Sequence, residues 1–311
     1  MAAKPLRKRI KNWLIFQLVR SLIKLVRVLP RRAAIKSFDR LGALAFLLIR
    51  KEREKTLRHL RLAFSAQQSE AAIYNLAKNT FRALGRNAAE ALRLPQLRRD
   101  GFQQLIHFVG REHLDKALGR GRGALCITGH IGCWELMAMF IASHYPLAVV
   151  GAAIYDPRLD ELLVREREQA GYRTFSRTAS GTRQILRWFR EGGVLGILID
   201  QDTRVDGEFV DFFGQLAYTP AGPVVLAERT GVPIVPLAMR MNDDFTHTVE
   251  VRPEITLQKT GNARADRIAN VAKCSKAVEA FIRAHPTQWV WMHERWKTKP
   301  QTLAEKQLAT E

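Results

Sequence analysis

Hydrophobic positions in this 311-residue chain change their period about a third of the way along. Before residue 100 they recur every three or four positions, the spacing of one helix face. Leu14, Ile15, Leu18, Val19, Leu22, Ile23, Leu25 and Val26 predict a first helix, ended by Pro30. An apolar run from Leu41 to Ile49 follows, too short to span a bilayer. Charged helical sequence then runs from Arg50 to Leu62, and Ala72, Leu76, Phe81 and Leu84 mark another helix over residues 70–93, ended by Pro95.

From about residue 105 the texture is different. Compact apolar runs at Ala124–Thr128, Leu147–Ala152, Val194–Ile199 and Ile234–Met239 read as buried strands. Helix-like stretches separate them at Glu135–His144, Leu159–Ala170, Ser180–Glu191 and Ala221–Thr230. Thr248–Ile255 reads as a further strand and Arg264–Ala284 as a closing helix. Such alternation predicts an α/β fold with a mostly parallel central sheet flanked by helices. The expected division is a basic amphipathic membrane-association region over residues 1–62, an α/β domain over 63–300 and a polar tail over 301–311.

Charge sharpens the first part of this picture. The net charge is +20, and residues 1–62 hold 18 Lys/Arg against 3 Asp/Glu, leaving 32 against 27 in the rest. An ordinary globular body therefore carries a very basic N-terminal section, suited to a polyanion. Arg20, Lys24, Arg27 and Arg31 recur at i, i+4, i+7 and i+11, on one side of the first helix, with the apolar residues opposite. These charges count against a membrane span and interrupt a signal-peptide core. The pattern predicts a helix lying in an anionic lipid interface, with Trp13, Arg20, Lys24 and Arg27 in contact with the membrane. Nucleic-acid binding is not expected, because no aromatics for stacking are interleaved with the basic residues. Cys126, Cys133 and Cys274 show neither disulfide-like nor metal-ligand spacing, so no metal is expected.

Candidate chemistry lies after the run Ala124–Thr128. There Gly129-His130-Ile131-Gly132-Cys133-Trp134-Glu135 carries a histidine on a glycine-flanked turn with a helix beyond it. The carboxyl end of a parallel strand is where α/β proteins place their sites. Five residues on a continuous helix turn roughly 140°, so His130 and Glu135 meet only if His130 precedes the helix and Glu135 lies inside it. A carboxylate on one imidazole nitrogen leaves the other free to remove a proton. By spacing alone, helix capping is the commoner use of such a His/Glu pair. No serine-hydrolase elbow is present, and Gly119-Arg120-Gly121-Arg122-Gly123 precedes a strand where a dinucleotide fingerprint would follow one.

Further blocks extend the motif. Arg165 and Arg167, Ser176-Arg177, Leu198-Ile199-Asp200-Gln201-Asp202, Phe212-Phe213-Gly214 with Thr219-Pro220-Ala221-Gly222, and Val232-Pro233-Ile234-Val235-Pro236 with Arg240 follow in order. The last block is Gln288-Trp289-Val290-Trp291-Met292-His293-Glu294-Arg295-Trp296-Lys297. In these blocks the chain, from about residue 40 to 297, resembles the lipid A biosynthesis acyltransferase family within the glycerolipid acyltransferase superfamily. Cys133 stands where the family commonly has Asn, His59 where many members have Asn, and Glu294 where a basic residue is frequent.

The resemblance implies transfer of an acyl chain from a thioester to a hydroxyl of a lipid A precursor, with His130 as general base and Glu135 orienting it. It implies no cofactor, with acyl carrier protein or acyl-CoA as donor substrate. Expected substrate-binding residues are Arg167, Arg177 and Arg240 for phosphate, Asp200, Gln201 and Asp202 beside them, and Phe213, Gly214, Thr219 and Pro220 in the loop over the pocket. Expected partners are an anionic membrane surface, a glycolipid acceptor and the acidic carrier protein, at the cytoplasmic face of an inner membrane. The alternatives are acylation of another glycolipid or a lysophospholipid from acyl-CoA, or a basic membrane-binding protein with no turnover.

Overall fold

The computed structural model describes residues 6–152 and 156–300. The tail expected over residues 301–311 lies outside the described residues. Five helices come first: α1 (Leu6–Val28), α2 (Arg31–Leu48), α3 (Arg50–Phe64), α4 (Glu70–Leu92) and α5 (Leu94–Asp100). The α/β part follows as β1 (Ile106–Val109), α6 (Arg111–Leu118), β2 (Ala124–Thr128), α7 (Trp134–Ala142), β3 (Leu147–Gly151), α8 (Pro157–Gln169), β4 (Arg173–Ser176) and α9 (Ala179–Arg190). It continues with β5 (Val194–Leu198), β6 (Gly207–Phe212), β7 (Gln215–Pro220), α10 (Gly222–Thr230), β8 (Ile234–Met241), β9 (His247–Val251) and α11 (Ala263–Ala284).

Seven strands form the central sheet in the order β1-β9-β8-β2-β5-β3-β4. Every neighbouring pair is parallel except β8 with β9. β2 sits mid-sheet and is buried along its whole length, as a parallel strand covered on both faces must be. The short edge strands β1 and β4 escape the sequence pattern because each has only four residues with mixed exposure. Thr248–Ile255 was expected as one strand, but β9 ends at Val251, and Pro253 follows two residues later. The hairpin β6–β7 forms a separate two-stranded sheet.

Side-chain caps start several helices. Ser69 accepts from the Ala72 amide at α4, Asp156 from Arg158 at α8, and Asn262 from Ala265 at α11. α2 and α4 pack at backbone contact: a Cβ on Gly42 would lie 2.2 Å from the Phe81 carbonyl oxygen, and one on Gly85 2.1 Å from that of Phe38. Phe46 of α2 and Leu60 of α3 join the same buried cluster as Ile127 of β2 and Trp289. The boundary drawn at residue 62 therefore does not mark a break in packing.

No helix among the described residues is long and apolar enough to cross a membrane. α1 leaves Trp13, Leu14, Leu18, Leu22 and Leu25 exposed, with Arg20 and Lys24 also exposed. Arg27 departs from its expected place. It donates from Nε to the Leu92 carbonyl at 3.0 Å and pairs with Glu166 at 2.8 Å, so it fastens α1 to the body of the protein.

Candidate active site

The site is built where β2 and β5 end. In the register of these neighbours Thr128 pairs with Leu198, and the Ile199 amide still donates to the Thr128 carbonyl at 3.0 Å. His130 and Asp200 each lie two residues beyond that pair, so the ladder itself brings them together. His130 Nδ1 is 2.8 Å from Asp200 Oδ1, and the His130 backbone amide donates to Asp200 Oδ2 at 2.7 Å. Trp289 Nε1 donates to the same oxygen at 2.7 Å. Burial alone would raise the Asp200 carboxyl, but the His130 imidazole and these hydrogen bonds outweigh it and hold the group well below the usual carboxylate range. An ionised Asp200 holds the proton on His130 Nδ1 and leaves Nε2 as the free base.

Glu135 does not orient His130, contrary to the expectation from spacing. Gly132, at φ +60°, turns the chain sharply, and a Cβ there would lie 2.2 Å from the Met239 carbonyl oxygen. α7 starts directly after this turn. The ring of Trp134, with its centroid 4.9 Å from that of His130, occupies the flank expected for Glu135. The Glu135 carboxylate points instead toward α8 and the approach to β4. It accepts two hydrogen bonds from Arg167, at 3.0 and 2.5 Å, and one from the Tyr172 hydroxyl at 2.6 Å. Burial, and then the adjacent Glu135 carboxylate, push the Tyr172 phenol well above its ordinary value, so it stays a donor.

Gln201 and His293 complete the centre. Gln201 Nε2 lies 3.1 Å from His130 Nε2 and 3.2 Å from His293 Nε2, bridging the two imidazoles. The ring centroids of His130 and His293 are 5.1 Å apart. Burial, followed by the neighbouring His130, pushes His293 down to about 4, so it is neutral at physiological pH. Sequence reasoning missed His293, although it stands inside the closing block. That block docks beside the His130 turn through a bridge between Ile131 and Trp289 and a 2.9 Å hydrogen bond from the Gly132 amide to the Gln288 carbonyl.

Two cavities meet here. His130 and Gln201 line a cleft of about 520 Å³ together with Arg177, Leu163 and Pro220. A narrow, mainly apolar cavity lies against it, lined by Met137, Ile141, Leu147 and Leu237. Trp134, Val150, Arg167 and Leu198 line both.

Several expected binding residues have other work. Asp202 is buried and accepts from the Thr298 amide at 2.8 Å and the Thr298 hydroxyl at 2.9 Å, tying the segment after Trp296 to the loop after β5. Thr219, fully buried, accepts from Arg295 at 2.6 Å. Phe213 is buried against Trp291 and donates its amide to Glu279 at 2.9 Å, and Gly214 turns the β6–β7 hairpin at φ +77°. Arg240 pairs with Asn242 away from the cleft. These residues hold the frame, tying short strands and the irregular segment after α11 together through side chains.

Over residues 1–298 the chain matches the family described as bacterial lipid A biosynthesis acyltransferase. It belongs to that family. Family members are acyltransferases, and this chain is an enzyme of the same class, acylating a hydroxyl. It is 25% identical to the lipid A biosynthesis palmitoleoyltransferase of Escherichia coli over 271 residues, covering 84% of each chain. It is also 25% identical to the E. coli lipid A biosynthesis lauroyltransferase over 272 residues, again 84% of each. The phosphatidylinositol mannoside acyltransferase of Mycolicibacterium smegmatis is 25% identical over 227 residues, 71% of this chain and 72% of that one.

Proposed function

We propose that this acyltransferase moves a fatty acyl chain from an acyl carrier protein thioester to a hydroxyl of a lipid A precursor, with His130 as base and Asp200 as the group that orients it. One observation carries the reading: an imidazole held by a buried carboxylate lines a wide cleft that shares four wall residues with an apolar cavity. In this reading the acyl chain occupies the apolar cavity and the glycolipid the cleft.

The acceptor hydroxyl gives its proton to His130 Nε2 while its oxygen attacks the thioester carbonyl. Asp200 stabilises the imidazolium, and Gln201 Nε2 is the nearest side-chain donor for the tetrahedral oxyanion. Collapse breaks the C–S bond, and the leaving thiolate takes the proton back from Nε2. Gln201 must swing from Nε2 to admit the hydroxyl. The exposed Arg177 at the cleft wall suits an acceptor phosphate, and the bonds from Arg167 to Glu135 suit a positioning role at the boundary of the two cavities. α1, with Leu14, Leu18, Leu22 and Leu25 beside Arg20 and Lys24, would hold the enzyme on an anionic membrane face.

Comparable identity to a phosphatidylinositol mannoside acyltransferase supports a second acceptor class, another glycolipid acylated from acyl-CoA. Mass spectrometry of glycolipids from host cells lacking the gene separates the two. Complementation with the wild-type gene restores one acyl mass on one lipid, and His130→Ala restores none. An unchanged glycolipid profile, with His130→Ala behaving as wild type, sinks both.

A further inference from the structure

Five large aliphatic side chains stand out of the protein where α2 runs into α3. Leu41, Leu44, Leu47, Leu48 and Ile49 are between 47% and 71% exposed, with Leu48 the most. The opposite side of the same turns is already spent on packing. Gly42 and Phe46 are buried against α4, and the Phe46 ring meets Phe81 edge-on at 5.4 Å. The end of α2 is thus apolar on both sides, whereas scattered single exposed leucines are what a globular surface ordinarily shows.

Charge around the patch selects its occupant. Residues 31–55 hold eight basic residues and three acidic ones, Asp39, Glu52 and Glu54, with Glu54 paired to Arg50 at 2.5 Å and Glu52 to Lys55 at 2.9 Å. Asp39 is bonded by Arg82 and Arg86 and offers no free carboxylate. Arg40, Arg50 and Lys51 are exposed at the two ends of the patch, and Arg32 and Lys36 are exposed earlier on the helix. Five side chains cover well under the roughly 800 Å² per partner that a stable protein interface needs. They also include no aromatic anchor. A bilayer asks only for apolar depth and flanking cations.

The corner is also joined to the site. Lys55 and Arg58 of α3 pair with Glu294 at 3.8 and 3.1 Å, and Glu294 adjoins His293 beside His130. Six residues of helix separate Ile49 from Lys55, a rise of about 9 Å.

We propose that the α2–α3 corner inserts into an anionic bilayer as a contact separate from α1, setting the catalytic cleft against the membrane surface. That a lipid acceptor then reaches His130 rests on the proposed function; the insertion itself does not.

Leu48→Cys labelled with a polarity-sensitive fluorophore in the full chain tests this, since Cys126, Cys133 and Cys274 are buried and leave the new thiol as the reactive one. With phosphatidylglycerol/phosphatidylethanolamine vesicles the label should shift to the blue and be quenched by brominated lipid, and with pure phosphatidylcholine it should not. Leu47→Ser/Leu48→Ser/Ile49→Ser should lower the vesicle-bound fraction at least fivefold, with Tm and acyl transfer in detergent micelles unchanged. An unshifted label on protein bound to anionic vesicles overturns the proposal. So does a concentration-dependent shift without lipid, which would assign the patch to a second copy of the chain. Failure of wild-type transfer in micelles, with the label still inserted, would remove the proposed function and leave the corner intact.

Discussion

Two carboxylates, Asp200 buried and Glu135 partly buried, stand within one site and do opposite things. Asp200 leaves the end of a central strand and meets His130, the residue at the equivalent place on the neighbouring strand. Glu135 sits in the first turn of a helix and meets Arg167 and Tyr172, which arrive from α8 and the approach to β4. The strand register fixes the first pair with little freedom, so it can hold an imidazole in one tautomer. The second is a link between elements at the boundary of two cavities, and it orders the wall against which a substrate would lie. A carboxylate's role here follows from the element that presents it and not from its distance in sequence to the histidine.

The largest expected effect separates the two directly. Asp200→Asn should lower kcat by about 10²–10⁴-fold, the range of general-base assistance, with KM little changed. Glu135→Gln should leave kcat within about tenfold under the same steady-state assay, since positioning rather than proton transfer is lost. The reverse ranking would make Glu135 the orienting group after all.

Next in size is stability. Glu135→Gln leaves Arg167 largely buried without its counter-charge, and breaking such a pair costs about 3–5 kcal/mol. Denaturant unfolding should show that loss, and Glu135→Gln/Arg167→Gln should recover part of it. If the single and double variants unfold alike, the pair is not coupled.

The smallest effect concerns the ring on the other side of His130. The folded-state value of His293 is about 4, below the ordinary value of about 6.5. Between those values the unfolded chain binds a proton that the folded protein refuses, so stability falls as pH drops through that window. His293→Gln removes this term, and its Tm should decline less steeply than wild type between pH 6.5 and 4. Identical slopes would mean that His293 titrates normally in the folded state.

Much of the frame was legible in the sequence. Alternating apolar runs and helix-like stretches gave four strands of the sheet, because a strand covered on both faces must be apolar throughout, as Ala124–Thr128 is. Glycine spacing and the ordered blocks located His130 on its turn and marked Asp200 and Gln201 as site residues, though beside the binding arginines and not beside His130. Edge strands of four residues and the exposed apolar end of α2 lay below what periodicity resolves. The apolar run Leu41–Ile49 reads the same whether its leucines face the core or the solvent.

The chain by itself determined that His130 stands at a strand end with a helix starting behind it, and that its surroundings belong to an acyltransferase. Only the tertiary structure decided which acid serves it. Spacing reports neighbours along one segment, and Glu135 is the near one. Orientation of an imidazole requires an atom 2.8 Å away in space, and the β2–β5 ladder supplies it from seventy residues downstream.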